Sequence, residues 1–371
     1  MRKICVVTST RAEYGIMSNF INELYNDSDV DLQLIVTGMH LSEKFGMTKN
    51  EIKIPVYSEI NIEIEKEPYR ALAVAIEKFS NLFKDIQPDL LTILGDRYEI
   101  MGVAQAAMLN NIPIAHLYGG DTTEGAIDEA IRHSITKMSH LHFTSCEEYR
   151  KRVIQLGENP ERVFNVGSLA IENIKNTKLL LKEEFENSIN FKFNKKNLLV
   201  TFHPVTLENS AQEQFLELLD ALSELNDTNI IMTCPNSDEG SSTIFDMIQE
   251  FTANHHNTKS FVSLGMLRYY SAMQYVDMVV GNSSSGIYEA PSFKVPTINI
   301  GNRQKGRLQS NSIINCNAKK DDILNAIEMG YNMDCSKVFN IYEKENTSKE
   351  IIRILKTFSL NNILKKEFYD L

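Results

Sequence analysis

The chain has 371 residues, 43% of them hydrophobic, and carries 38 Lys and Arg against 49 Asp and Glu, a formal net charge of -11 at pH 7. The length predicts two domains, each with a core of its own. The acidic total excludes duplex nucleic acid and an anionic membrane as expected partners, since both select a basic face, but it leaves room for a local phosphate pocket.

The five cysteines are odd in number, and no two stand at CxxC spacing. This reads as reduced thiols, with neither a disulfide framework nor a zinc site. Met1-Arg2-Lys3 runs straight into Ile4–Thr8, an apolar stretch of strand length and too short for a secretory signal. No apolar run approaches the roughly 18 residues of a membrane span. A cytoplasmic protein is expected.

Taken in chain order, the first apolar runs are Ile4–Thr8, Leu32–Thr37, Leu90–Leu94, Pro113–Tyr118, Leu141–Thr144 and Val163–Val166. A second set comprises Leu198–Phe202, Ile230–Cys234, Phe261–Leu264, Val276–Val280 and Pro296–Ile300. Most are apolar throughout, the mark of strands buried on both faces of a parallel sheet. Between them, Met17–Tyr25, Tyr69–Lys84, Ala104–Asn110, Glu147–Leu156 and Glu213–Leu225 show helical apolar spacing. Strand and helix alternating this regularly predict an α/β fold of two doubly wound, Rossmann-like halves facing a cleft. The Lys-, Glu- and Asn-rich segment Ile174–Asn197, helical near Lys178–Phe185, is the expected connector. The expected domains are 1–170 and 195–345, with a helical tail at 346–371 packing back on the first.

Open α/β sheets bind ligands at the carboxyl ends of their strands, so the informative residues should follow the apolar runs. After the first comes Thr8-Ser9-Thr10-Arg11-Ala12-Glu13-Tyr14-Gly15, a strand-to-helix turn. Its free N–H groups and Arg11 suit a phosphate; equally, Ser9 or Thr10 is a plain N-cap with Arg11 and Glu13 solvated. It is neither a dinucleotide fingerprint nor a Walker loop. Gly95-Asp96-Arg97-Tyr98-Glu99 puts a carboxylate at a strand mouth, where Arg97 would lower its pKa or hold a diphosphate; the alternative is an Asp N-cap. The densest stretch runs from His116-Leu117-Tyr118-Gly119-Gly120 through Asp121, Glu124 and Asp128 to Arg132 and His133. Crowded carboxylates after a Gly-Gly turn suit proton removal at one atom and delivery at another, and Asp128 with Arg132 and Glu129 with His133 share helix faces. The alternative there is a solvated loop with surface ion pairs.

In the second half, Pro204 biases His203 towards extended geometry at a strand end, in a cleft or as a satisfied core histidine. Asn236 lies at the next strand end. Gly281-Asn282-Ser283-Ser284-Ser285-Gly286 opens a helix as a diphosphate cradle, or is a flexible Ser/Gly loop. Glu289 stands about one turn into that helix, placed for a ribose diol. Gly301–Arg307 adds Arg303, Lys305 and Arg307, cations that oppose phosphate or are simply solvated. No metal and no cofactor is expected.

Together the stretches TSTRAEYG, GDRYE, HLYGGDTTEGAIDEAIRHSITK, FHPVT, GNSSSGIYEA and GNRQKGR, in that order from Thr8 to Arg307, resemble the UDP-N-acetylglucosamine 2-epimerase family. The match leans to its hydrolysing branch, of sialic-acid and related nonulosonate pathways. The resemblance implies a glycosyltransferase-B-like fold, a homodimer and a UDP-sugar substrate. It implies loss of the C2 proton and of UDP to give a 2-acetamidoglycal, then hydration to N-acetylmannosamine. It matches Asp96 to a catalytic or orienting carboxylate, Arg97 and Arg11 to UDP contacts, and Asp128 to proton transfer. It matches His203 to the leaving diphosphate and Ser283, Ser284 and Glu289 to the uridine-diphosphate loop. Many relatives carry Glu where this chain has Tyr118, so that role falls to Asp121 or Glu124 or is absent. Ile16 stands where non-hydrolysing relatives carry Lys. The alternatives are the same chemistry on a 2,4-diacetamido-2,4,6-trideoxyhexose nucleotide, a glycosyltransferase, or a nucleotide-sugar sensor without catalysis.

Overall fold

Strand runs such as Leu90–Leu94 have no polar face to turn to water, so they are stable only between two layers of helices. That is the architecture found in the computed structural model, which describes residues 1–124, 127–204, 210–235 and 241–371. The chain divides into two compact units. The first comprises Met1–Thr122, Ile127–Asn173 and Tyr342–Leu371; the second comprises Ile174–Ile341 together with Thr123 and Glu124.

The strands of the first unit are β1 (Arg2–Thr8), β2 (Val30–Thr37), β3 (Ser58–Ile60), β4 (Leu90–Leu94), β5 (Ile114–Leu117), β6 (Leu141–Thr144) and β7 (Val163–Asn165). Its helices are α1 (Arg11–Asn26), α2 (Pro68–Ile86), α3 (Tyr98–Leu109), α4 (Ile127–Met138), α5 (Glu147–Gln155) and α6 (Leu169–Asn176), the last running three residues into the second unit. All pairings are parallel, in the order β3-β2-β1-β4-β5-β6-β7.

The second unit begins with α7 (Lys182–Ile189). It continues through β8 (Lys196–Thr201), α8 (Ala211–Ser223), β9 (Thr228–Thr233), α9 (Ser241–Asn254), β10 (Thr258–Phe261), α10 (Gly265–Met273) and β11 (Met278–Gly281). Then come α11 (Ser284–Tyr288), β12 (Thr297–Ile300), β13 (Ile313–Cys316) and α12 (Lys320–Tyr331), and α13 (Thr347–Thr357) returns to the first unit. This sheet is also wholly parallel, ordered β10-β9-β8-β11-β12-β13.

The winding direction reverses between β1 and β4 in one sheet and between β8 and β11 in the other. Loops leaving a sheet at such a point diverge to opposite sides and open a crevice. The turns after β1, β4 and β11 are those read above as Thr8–Gly15, Gly95–Glu99 and Gly281–Glu289, and Phe202, His203 and Pro204 follow β8.

α13 lies along α1, with Ile351, Ile354 and Leu355 in one core with Phe20, Ile21 and Leu24. At its end Lys356 pairs with Asp27 at 2.9 Å. One expected strand is displaced. The run Phe261–Leu264 reads as a strand, but β10 ends at Phe261, and Val262 is 73% exposed. β10 is an edge strand, where pairing on one side only tolerates the polar Thr-Lys-Ser sequence. No described helix is long and apolar enough to cross a membrane.

Candidate active site

At the end of β4, Gly95 takes φ +82°, and the backbone delivers Asp96 beyond the sheet. His116 on β5 secures that turn. Its Nε2 lies 2.8 Å from the Gly95 carbonyl and its Nδ1 3.2 Å from Thr136 Oγ1. Complete burial drives its pKa down to about 3, so the ring is neutral and Nε2 carries the proton the carbonyl accepts.

The cation beside Asp96 is Arg132, so of the two roles read for Arg97 the pairing with Asp96 is not the one it takes. Arg97 is adjacent in sequence, but its Nε–H goes 2.5 Å to Glu99. Arg132, only 2% exposed on α4, pairs through Nη2 with Asp96 and through Nη1 with Glu129 at 2.8 Å. Nη1 also donates to the Asp121 carbonyl at 3.0 Å. Glu129 accepts in turn from Thr122 Oγ1 at 2.9 Å and lies 3.2 Å from His133 Nε2. One buried guanidinium thus gathers Asp96, the Asp121 backbone, Glu129 and, through Glu129, His133. Asp128 lies in the first turn of the same helix, part-buried.

The Gly-Gly turn before this cluster is obligatory at its second position. Gly120 has φ +80°, and a Cβ there would sit 2.3 Å from the Tyr149 carbonyl. Tyr118, also at positive φ (+66°), turns its hydroxyl to Ser168 Oγ at 2.9 Å and accepts the Ala170 N–H at 3.3 Å. That hydroxyl ties β5 to the start of α6 rather than joining the carboxylates.

After β1, Thr10 is the N-cap of α1 in a reciprocal capping box with Glu13. Arg11 is half exposed and lies 3.4 Å from Glu51. Glu13, read as solvated in one alternative, is buried with Ser9 and Glu99.

In the second unit, β11 ends so close to β8 that a Cβ on Gly281 (φ +134°) would lie 1.9 Å from the Thr201 carbonyl. The next residue, Asn282, joins the two strand ends. Its Oδ1 accepts the His203 N–H at 2.7 Å, and its Nδ2 donates to the His203 carbonyl at 2.8 Å. Its own carbonyl accepts from Arg303 Nη1 at 3.1 Å and Gln304 Nε2 at 2.8 Å. His203, buried and close to Arg303, has its pKa lowered to about 3, first by desolvation and then by that charge. Its imidazole is neutral at physiological pH and offers an N–H rather than a cation.

Ser283 caps α11, its Oγ accepting the Ser285 N–H at 3.4 Å. The helix holding Ser284, Ser285 and Gly286 ends at Tyr288, so Glu289 is its C-cap and not a residue within it. Pro291 is the cause, since it has no N–H to continue the ladder. Burial raises the Glu289 carboxyl above its usual range, while the Ser285 and Tyr270 hydroxyls oppose this. Arg307 donates to Gln304 Oε1 at 2.9 Å and Thr123 Oγ1 at 3.2 Å, over the Tyr288 ring. Glu124 is exposed, 3.7 Å from Lys305. Asn236 lies outside the described residues.

Sequence reasoning paired Glu129 with His133 alone, and it passed over His116, Asn282 and Gln304. Each stood inside a quoted motif, but the signal sought was a group that meets ligand. These residues hold other residues instead.

Two doubly wound parallel sheets, each with its candidate turns at the reversal of strand order, define a glycosyltransferase-B-like protein. The galactosyltransferase WaaB shares this fold, with a TM-score of 0.54 at 13% identity over 98% of this chain and 99% of that one. The chain belongs to the UDP-N-acetylglucosamine 2-epimerase family, whose model matches residues 22–356. That membership places it among nucleotide-sugar 2-epimerases. It is 43% identical to the GDP/UDP-N,N'-diacetylbacillosamine 2-epimerase (hydrolyzing) of Campylobacter jejuni, over 100% of this chain and 99% of that one. It is 40% identical to the polysialic acid biosynthesis protein P7 of Escherichia coli, over 100% and 98%. It is 36% identical to the UDP-N,N'-diacetylbacillosamine 2-epimerase (hydrolyzing) of Legionella pneumophila, over 99% of each. The UDP-GlcNAc 2-epimerase structure from Methanocaldococcus jannaschii superposes with a TM-score of 0.80 at 18% identity, over 95% of this chain and 99% of that one.

Proposed function

We propose that this chain is a hydrolysing 2-epimerase acting on a nucleotide-linked 2,4-diacetamido-2,4,6-trideoxyhexose of the N,N'-diacetylbacillosamine class. The observation that carries the chemistry is the grouping of Asp96, Glu129 and the Asp121 backbone around the buried Arg132, with Asp128 one turn before it on the same helix. Epimerisation by elimination needs one group to take the C2 proton as the nucleotide leaves C1. It needs another to return a proton to the opposite face when water adds. In this reading Asp128 transfers a proton, Asp96 is the carboxylate oriented by Arg132, and Asp121 or Glu124 serves the hydration step. Neutral His203 donates to the leaving diphosphate. Ser283, Ser284, Ser285 and Gly286 supply N–H and hydroxyl donors to it, Arg303 and Arg307 supply charge, and Glu289 takes the ribose diol. Arg11, Arg97 and His133 are further substrate contacts.

Support for the sugar comes from two full-length relatives, 43% and 36% identical, whose names specify that diacetylated hexose. A second reading, UDP-N-acetylglucosamine converted to N-acetylmannosamine and UDP, draws on the polysialic acid protein at 40%. The test is kcat/KM for UDP release from both UDP-sugars, with the GDP-linked diacetamido sugar alongside. A preference of about tenfold or more for a diacetamido donor is expected, because unmet polar groups in a built pocket discriminate strongly. Preference for UDP-N-acetylglucosamine would install the second reading. Asp128→Asn is expected to lower kcat by about a hundredfold with folding intact. Full activity would remove Asp128 from the mechanism.

A further inference from the structure

Behind the turns after β1 and β4 lie two buried carboxyls that the reaction scheme does not use. Glu13 on α1 is 5% exposed, and Glu99 on α3 is 0% exposed. Ser9 Oγ stands 2.9 Å from Glu13 Oε2 and 3.0 Å from Glu99 Oε1. A hydroxyl carries one hydrogen, so Ser9 donates to one of them only. Both oxygens already accept elsewhere. Glu13 Oε2 takes the N–H of Ser9 at 2.7 Å and of Thr10 at 3.3 Å, and Glu99 Oε1 takes the Arg97 Nε–H at 2.5 Å. The other oxygens, Glu13 Oε1 and Glu99 Oε2, are buried without a hydrogen-bond partner among the described residues.

Two ionised carboxylates with one guanidinium would leave a negative charge uncompensated out of reach of water. A single proton on the pair removes it. Glu13 suits that proton, because burial and then the Glu99 charge raise its pKa to about 7, against Arg97 and Ser9. The titratable groups around it are Glu99 and Tyr98 from α3 and Arg97 from the turn before. His40, beyond β2, is engaged with Thr8 and Thr48.

Resting on the reading of Arg97 as a substrate contact, we propose that Glu99 is a positioning residue that holds Arg97 for the anionic diphosphate. Glu13 stores the proton that leaves this support without excess negative charge. When the proton departs, a second carboxylate competes for the guanidinium and repels the diphosphate. KM therefore rises with pH through neutrality, while kcat follows the reacting carboxylates.

The experiment measures kcat and KM from about pH 6 to 9 for wild type, Glu13→Gln and Glu99→Gln, with melting curves for each. Glu13→Gln is expected to abolish the alkaline rise in KM. Glu99→Gln is expected to raise KM about tenfold at every pH with kcat within about twofold. Ser9→Ala, which cuts the bridge, serves if Glu99→Gln does not fold, and is expected to shift the KM rise in pH. A wild-type KM flat with pH, or variants that lower only the melting temperature, would overturn the proposal. Infrared difference spectra provide a readout independent of turnover: a carboxylic C=O band lost as wild type passes neutrality and absent in Glu13→Gln. Its absence from wild type overturns the stored proton. If wild type neither turns over nor binds a nucleotide sugar by calorimetry, the functional reading falls and takes the Arg97 half with it. The infrared titration then still decides the proton.

Discussion

Arg132 shows how far one side chain organises the candidate site. Its guanidinium is 2% exposed and serves Asp96, Glu129 and the Asp121 backbone together. Burial alone would weaken its charge, but the Asp96 and Asp121 charges reverse that, and the net effect is upward. Replacing it by Leu strands two carboxylates that are less than a third exposed. The expected cost is about 3–5 kcal/mol, read from urea unfolding, because an uncompensated charge is left behind. Arg132→Lys keeps the charge but lacks the fork, and is expected to fold while losing most activity. The spacing of Asp128 and Arg132 made a shared helix face legible in the sequence. The link to Asp96, 36 residues upstream, was not legible, because it arises only when β4 and β5 pair. The alternative that left Glu13 solvated fails for a related reason. The N-cap reading of Thr10 puts it in the first turn of the helix, but its burial depends on Ser9 and Glu99 meeting it.

Among elements, the fully buried strands were the most legible. β4 and β6 have the bounds that their apolar runs give. β3 and β13 gave no such signal. They are edge strands of three and four residues with half-exposed positions, so their sequences need not be apolar. The meeting of β8 and β11 was only half visible: Gly281 was read as loop chemistry, yet it is a packing requirement. Gly281→Ala places a methyl within 1.9 Å of the Thr201 carbonyl and forces β11 away from β8. A loss of about 3 kcal/mol or more is expected from denaturant melts, with activity reduced further because Asn282 and His203 separate. A melting curve superposable on wild type would show that the backbone absorbs the strain.

Across the whole molecule, the alternation of strand and helix made two doubly wound sheets legible, and with them the strand-end turns. The buried ion cluster that the chain's last residues complete in the first unit was not legible. Lys366 reaches Glu158 at 2.7 Å, joining Lys137 at 2.6 Å and His142 Nε2 at 3.0 Å around one buried carboxylate. Desolvation would raise the Glu158 pKa, but His142 and the two lysines outweigh it and bring it from 4.5 down to about 2. The folded pKa lies below the unfolded one, so this cluster stabilises the fold above about pH 4.5 and loses its contribution as pH falls towards 2. Lys366→Ala is expected to cost about 1–3 kcal/mol near neutrality, with the gap to wild type closing in acid. A gap that persists undiminished at pH 2 would assign the loss to packing rather than charge.

The central claim is elimination and hydration at C2 of a nucleotide-linked diacetamido sugar. Proton NMR of the purified protein with UDP-N,N'-diacetylbacillosamine in D2O tests it most directly. The account predicts free UDP and a reducing 2-epimer carrying deuterium at C2. Free UDP with the C2 proton and configuration retained would mean simple hydrolysis and would contradict the account, as would an unchanged spectrum.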